Sequence, residues 1–524
     1  MSKVVNGFIR SQNKRLVNDA GEILLKGWGI GNWLLCEGYM WKHDESKRMD
    51  RPNRIEQVIR ELVGTKAAAE FWLNYRKNYF TQEDVARIKA QGYNSIRLPI
   101  NWRLFMEDEP GITFDEYGFD ILDEVVKWCE QADLYVWIDL HGAPGGQTGA
   151  NIDDCIDDVP RLYMDDDKFE KGLALWEEIA KRYADNPVVA GYDLLNEPIR
   201  PENGPDVPDC EQLVPELIRF YQQAIKRIRA IDKHHCFSIE GHHWATDTTI
   251  FNQQYDDNWV LHFHRYWDNP EENIFEKFIA LREKYNVPLW LGETGENTHD
   301  WFSAITAICD REHISYHFWP YKKMGNDNGS AEIPVPTNWD QIIGYSKQGA
   351  HPGFAQSQKI LAQFLENMKL EHCILHDHID MAILRNGEYV HRTPNFIGQE
   401  ERIQAQPKNE NLFNYRRGFG LELELGSNYH EEHDKHHDYW RNYDLVLQAG
   451  ESVQYDLPNF DFSEIVLKID QVYEACEFEM LGQHFSLASA HGEITISRQD
   501  FELGETILLS CQKGKVQFEY LRFR

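Results

Sequence analysis

A chain of 524 residues, 42% hydrophobic and 13% aromatic, is too long for one small core and too apolar for a disordered polymer, so a globular protein of two domains is expected. A net charge of −32 argues against nucleic acid or an anionic membrane surface as partner and leaves a neutral substrate open. Nine cysteines without a CxxC pair argue against a disulfide framework or a zinc module. The first ten residues, Met-Ser-Lys-Val-Val-Asn-Gly-Phe-Ile-Arg, hold no apolar core of a signal peptide, and no apolar run reaches bilayer length, so a cytoplasmic protein is the expectation.

Apolar runs of strand length alternate with amphipathic stretches through about the first 370 residues. The runs fall at 23–33, 95–100, 134–142, 188–198, 236–241, 259–264, 288–292 and 314–320. Apolar residues at helical spacing fill 117–132, 167–183, 211–231, 271–285 and 298–311. This α/β pattern predicts a (β/α)8 TIM barrel over residues 1–370. A doubly wound open sheet is the alternative, but it usually has fewer strands and a phosphate-binding glycine loop after the first. Residues 41–60 are charged and irregular and read as a loop beside the barrel mouth. The glycine-rich stretch 139–149 reads as a tightly turning loop near a ligand; no Lys-Ser/Thr follows it, so it is not a phosphate cradle. After about Met368 helical spacing fades and short alternating runs appear at 418–425, 462–469, 494–498 and 516–523. They predict a C-terminal antiparallel β-sandwich domain over residues 371–524, read as a buttress rather than a sugar-binding module. The acidic, His-rich run 429–438 reads as a solvated loop rather than a metal site.

The active site of such a barrel lies at the carboxyl ends of its strands. The second run ends near Arg97, the third in His141, and the fourth in Asn196-Glu197-Pro198. The sixth ends in His262 and His264, the seventh in Glu293, and the eighth in Trp319. Two carboxylates at two strand ends are the minimum equipment for cleaving a glycosidic bond. With retention of configuration, one carboxylate attacks carbon while a carboxylic acid about 5–5.5 Å away protonates the leaving oxygen. Glu293 is read as the nucleophile, with Arg97 supplying the positive charge it needs, and Glu197 as the acid/base. Asp139, Glu240 and Glu296 are the rival carboxylates. Asn196 is placed to donate to a sugar 2-hydroxyl, and Trp319 offers a face to stack a pyranose. His141, His262 and His264 are candidates through their shared position at strand ends. The His262-Phe-His264 pair also admits a metal hydrolase as a minor alternative, but the motifs call for no metal or other cofactor.

These residues resemble glycoside hydrolase family 5, the cellulase family of retaining barrel enzymes. The resemblance covers roughly residues 5–370 and rests on Ile-Arg97-Leu-Pro, Asp-Leu-His141-Gly, Asn196-Glu197-Pro198, His262, Gly-Glu293-Thr-Gly and Trp319. It implies Glu197 as acid/base and Glu293 as nucleophile. Within the family the chain is most similar to the exo-β-1,3-glucanase-like branch, through Gly-Asn-Trp-Leu-Leu-Cys-Glu-Gly-Tyr over 31–39 and His-Gly-Ala-Pro-Gly-Gly-Gln over 141–147. That branch implies that Glu37 and Tyr39 bind the terminal sugar, with exo action on a β-glucoside or a related β-glycoside. The family usually has His-x-Tyr on the sixth strand, the tyrosine hydroxyl touching the nucleophile; here that position is His264. Gly-Glu-Thr-Gly also replaces the branch's usual Gly-Glu-Trp. Both departures bear on which sugar is read. An endo-β-glucanase or mannanase, and a non-catalytic carbohydrate-binding protein, remain the competing readings; a carbohydrate is the partner in each.

Overall fold

The computed structural model describes residues 3–43, 47–201, 209–405, 415–427, 439–489, 492–500 and 504–524. The His-rich run 429–438 lies outside the described residues. The chain forms two compact units. The first takes residues 1–265, 277–294 and 313–376; the second takes 266–276, 295–312 and 377–524.

The first unit is organised by a closed barrel of eight parallel strands. In chain order these are β1 (Lys26–Gly29), β2 (Ser95–Asn101), β3 (Tyr135–Gly142), β4 (Val189–Asp193), β5 (Cys236–Glu240), β6 (Trp259–His264), β7 (Leu289–Gly295) and β8 (Ser315–Trp319). Each pairs with its sequence neighbour, and β8 pairs back onto β1, which is the TIM barrel the alternating pattern predicts. The strands read as near-continuous apolar runs because both faces are covered: β2 and β3 are buried at every position. The barrel axis is filled by side chains. Trp137 stacks on Trp290 at 4.5 Å between ring centroids, and Trp290 Nε1 donates to His317 Nδ1 at 2.9 Å.

Two local features depart from the simple pattern. Residues 41–60 are not all loop, because a helix begins at Pro52 and runs to Tyr79, broken at Gly64. Proline fits the first helical position, and Ile55, Val58, Ile59 and Leu62 fall on one buried face at helical spacing. Between β5 and β6 there is only the turn His242–Ala245, with left-handed backbone at His243, Trp244 and Ala245.

On β7 the pairing with β6 slips by one residue. Leu291 faces Phe263, but Glu293 faces His264, so Gly292 is the extra residue of a β-bulge. The bulge turns Glu293 toward the barrel interior, where an unbroken strand would alternate it away. Glycine is required there, because a Cβ on residue 292 would lie 1.7 Å from His262 Nε2.

The second unit holds the C-terminal antiparallel β domain, which among the described residues forms one eight-stranded sheet. Its two long strands, Glu464–Met480 and Thr506–Phe523, pair along their length through register shifts between Lys468 and Phe478. The helix His299–Glu312 belongs to this unit. Arg385 pairs with Asp310 at 2.7 Å, Arg441 with Asp300 at 3.0 Å, and Ser303 Oγ donates to the Val390 carbonyl.

Replacing Gly292 with alanine forces a methyl group into the His262 ring. The expected cost is about 1–3 kcal/mol. It is read as a lower midpoint in urea or thermal unfolding; an unchanged midpoint would show that the bulge has room to spare.

Candidate active site

Arg97 points inward from β2 and is fully buried. Its guanidinium meets carboxylates from four other strands: Asp139 of β3 at 3.0 Å, Asp193 of β4 at 2.9 Å, Glu240 of β5 at 3.3 Å, and Glu293 of β7 in a short contact from Nη1 to Oε1. Nη2 also donates to Asn196 Oδ1 at 2.8 Å. One positive charge does not balance four negative charges away from water, so protons must be held among these acids. Burial pushes the Asp139 carboxyl well above the usual carboxylate range, against the pull of Arg97. Burial, and then the charge of Asp193, do the same to Glu240. Asp193 goes the other way: burial raises it, but His262 and Arg97 outweigh that and hold it below the usual range.

The acids weighed as rivals to Glu197 and Glu293 have structural partners. Asp139 accepts from His141 Nδ1 at 2.8 Å. Glu240 Oε2 accepts from the Glu197 backbone N–H at 2.7 Å. Glu296 lies past the end of β7, in the second unit.

Glu197 sits in the turn after β4 with φ of +40°, and Ile199 two residues on has φ of +53°. Such a conformation costs of order 1–3 kcal/mol for a residue with a side chain, so its surroundings must enforce it. The glycine-rich loop after β3 does so. Gln147 Nε2 donates to the His141 and Asn196 carbonyls at 2.7 and 2.9 Å, and its backbone carbonyl accepts from Ile199 N. Thr148 Oγ1 donates to the Glu197 carbonyl at 2.7 Å. Asp153 in turn accepts from the backbone N–H groups of Thr148 and Gly149, both at 2.8 Å.

Glu197 is 8% exposed and Glu293 is more deeply buried still. A carboxylate oxygen of each, with a ring nitrogen of His264, lies within 4.8 Å of the others. Burial raises the Glu197 carboxyl to about 7, against the opposing pull of His141 and Arg97. His264 Nδ1 is 2.6 Å from Glu197 Oε1, and its Nε2 is 3.0 Å from His262 Nε2. His262 Nδ1 faces Ser238 Oγ at 2.8 Å and Asp193 Oδ1 at 3.1 Å. His141 Nε2 meets Asn196 Nδ2 at 3.2 Å, and burial lowers its pKa to about 4, so the ring is neutral and accepts there.

The His141 ring stacks on Trp319 at 5.1 Å with 7° between planes. The indole lies against the backbone of the residues after and at the end of β1: a Cβ on Gly29 or Gly31 would come within 2.5 or 2.6 Å of it. Trp319 Nε1 donates to Tyr39 Oη at 3.0 Å. Glu37 is buried two residues earlier, at the head of the turn Gly38–Trp41. The structure thus joins Arg97, His141, Asn196, Glu197, His262, His264, Glu293, Trp319 and Tyr39 in one connected cluster, with Glu37 on the same loop as Tyr39.

Sequence reasoning missed Asp193, Ser238, Gln147 and Thr148. Asp193 and Ser238 carried a usable signal, since each is a polar residue on an inward position of an otherwise apolar buried strand. Among the described residues, Glu197, His264 and Glu293, then Glu240, His262 and His264, and separately His242, His243 and Asp247, and the exposed Glu366, Glu371 and His372, bring metal-ligating atoms near one another. In the first two groups both nitrogens of each histidine are already in hydrogen bonds.

A barrel with two acids at adjacent reach across the carboxyl ends of β4 and β7 is the architecture of a glycoside hydrolase. Residues 32–359 match the model of the cellulase family, glycosyl hydrolase family 5, and the chain belongs to that family. It is similar to a β-xylosidase of Phanerodontia chrysosporium, with 31% identity over 351 residues covering 60% of this chain and 70% of the relative. It is also similar to a glucan 1,3-β-glucosidase of Candida oleophila, with 27% identity over 282 residues covering 49% of this chain and 61% of the relative. A solved structure described as AoRut superposes with a TM-score of 0.46 at 16% identity, covering 58% of this chain and 91% of that one.

Replacing Arg97 with methionine leaves the surrounding acids with no buried cation. The expected loss is about 3–5 kcal/mol of stability. Urea denaturation measures it, and a variant as stable as the parent would mean that the acids do not depend on Arg97.

Proposed function

We propose that the protein is a retaining, exo-acting β-glycosidase that hydrolyses β-glucosidic or related β-linked saccharides by double displacement. Glu293 attacks the anomeric carbon and forms a glycosyl ester while Glu197 gives its proton to the leaving oxygen. Water then attacks that carbon, Glu197 takes the water's proton, and Glu293 departs as a carboxylate. The observation that carries this reading is the approach of the two carboxyl groups, with an oxygen of each within 4.8 Å. Retaining enzymes hold them about 5–5.5 Å apart, whereas inverting enzymes leave about 6.5–9.5 Å for a water. The elevated Glu197 pKa supports its role as the acid, since a donor must keep its proton near neutrality.

Asn196 fits the 2-hydroxyl contact. Its Oδ1 is engaged by Arg97, so the amide is oriented, and Nδ2 has a second hydrogen beyond the one facing His141. Trp319, pinned by Tyr39 and two glycines, is a rigid wall suited to a pyranose face. Exo action is supported by the Glu37–Tyr39 loop beside that wall and by the names of the two relatives, a β-xylosidase and a glucan 1,3-β-glucosidase.

A panel of p-nitrophenyl β-glycosides identifies the sugar, and proton NMR of the first product reads its anomer. A β-anomer formed first is expected; an α-anomer first would overturn retention. Glu293→Ala is expected to lose nearly all turnover, and Glu197→Ala about 10²–10⁴-fold of kcat/KM on substrates with poor leaving groups. A parent-like rate in either variant removes that residue from the mechanism. Release of monosaccharide from the end of a β-glucan is expected, and mid-chain products would make the enzyme endo-acting.

The pH profile carries a sign. Glu197 must be protonated in the first step, so kcat/KM is expected to fall as pH rises past about 7. A rate that stays level to pH 9 would rule Glu197 out as the donor.

A further inference from the structure

His264 stands where the family pattern places a tyrosine that touches the nucleophile. The imidazole has another partner: Nδ1 is 2.6 Å from Glu197 Oε1 but 3.7 Å from Glu293 Oε2. Behind it His262 is wholly buried and continues the chain to Asp193. Burial lowers the pKa of both rings, so each is neutral, with one N–H and one bare nitrogen.

The direction of this chain follows from its inner end. Ser238 Oγ gives its hydrogen to Asp193 Oδ1 at 2.8 Å. Asp193 is ionised and can only accept. His262 Nδ1 is 3.1 Å from that same oxygen and 3.1 Å from Glu240 Oε1, which accepts from Arg97 Nη2; we assign the hydrogen to Nδ1, since a bare nitrogen would face the Asp193 carboxylate lone pair. His262 Nε2 is then bare, so His264 Nε2 donates to it. His264 Nδ1 is bare in turn, and the hydrogen between it and Glu197 Oε1 must sit on the acid.

We propose that Asp193, His262 and His264 form a fixed donor chain that holds the transferable hydrogen on Glu197. On this inference, which rests on Glu197 being the acid/base, His264 is a positioning residue for the acid and neither a sugar contact nor a partner of Glu293. When substrate enters, the hydrogen on Glu197 passes to the glycosidic oxygen as the bond from carbon to that oxygen breaks and the bond to Glu293 forms. The imidazoles gain and lose no proton. Ionised Glu197 then faces the bare Nδ1 lone pair, which favours recapture of a proton from the attacking water. The other charged and titratable groups around Glu197 are Arg97 of β2, Asp139 and His141 of β3, Glu240 of β5 and Glu293 of β7.

The test is the leaving-group dependence of kcat/KM over glycosides running from dinitrophenyl through phenyl to alkyl. Dinitrophenolate leaves without protonation, so a defect in the acid spares it. His264→Gln is expected to lose roughly tenfold or more on phenyl and alkyl substrates and under about threefold on the dinitrophenyl glycoside. Its amide can donate to the Glu197 carboxylate, so the alkaline limb of its profile is expected at lower pH than in the parent. A uniform loss across the series, or an unmoved alkaline limb, overturns the inference. His264→Asn is read on the same series, so that a misfolded glutamine variant does not decide the matter. Glu197→Ala separates the two claims. A flat series for that variant counts against Glu197 as the acid, whereas a steep one beside a flat His264→Gln sinks only the donor chain.

Discussion

The site depends on one buried guanidinium. Arg97 reaches across the barrel to acids on β3, β4, β5 and β7, and holds Asn196 as well. No other side chain offers several donors in a rigid planar fork together with a charge that survives burial. The arrangement needs a closed barrel, because only closure brings five strands around a common axis at one depth. Since a single cation cannot match all its neighbours, the acids divide into those that stay ionised and those that hold hydrogens. Asp193 falls on one side of that division, and Asp139 and Glu240 on the other. The chemistry at the mouth is built on this unequal sharing below it.

Around that centre the backbone is held in conformations it would not take alone. The left-handed turn at Glu197 is clamped by Gln147, Thr148 and Glu240, each through a buried hydrogen bond. The bulge on β7 redirects Glu293, and Gly292 clears the space for His262. Sites assembled this way keep their reacting groups oriented before substrate arrives, so little reorganisation is left for the reaction itself.

Much of this is legible in the sequence. The barrel follows from apolar runs alternating with helical spacing, and the cluster from polar residues at strand ends. What stayed hidden depends on contacts between distant segments. Gln147 sits in a glycine-rich stretch whose only local signal is a tight turn, and nothing nearby says that its amide bridges His141 and Asn196. Asp193 looks like a break in a buried strand until Arg97 and His262 are placed beside it. The bulge is a matter of pairing with β6, which a single strand cannot announce. The helix from Pro52 was obscured because charged residues crowd its start, masking the apolar stripe of Ile55, Val58 and Ile59. The grouping of residues 266–276 and 295–312 with the C-terminal unit has no signature in composition or periodicity.

That grouping has a consequence for how the protein comes to be. The chain passes between its two units at 265/266, 276/277, 294/295, 312/313 and 376/377, so neither is a continuous piece of polypeptide. On the ribosome, the helix His299–Glu312 emerges well before Arg441, its partner at Asp300, has been synthesised. The second unit therefore stays incomplete, with that helix lacking its partners, until residues 377–524 have been made. Gene fusions or truncations that cut the chain near residue 370 would leave 266–276 and 295–312 without the rest of their own unit.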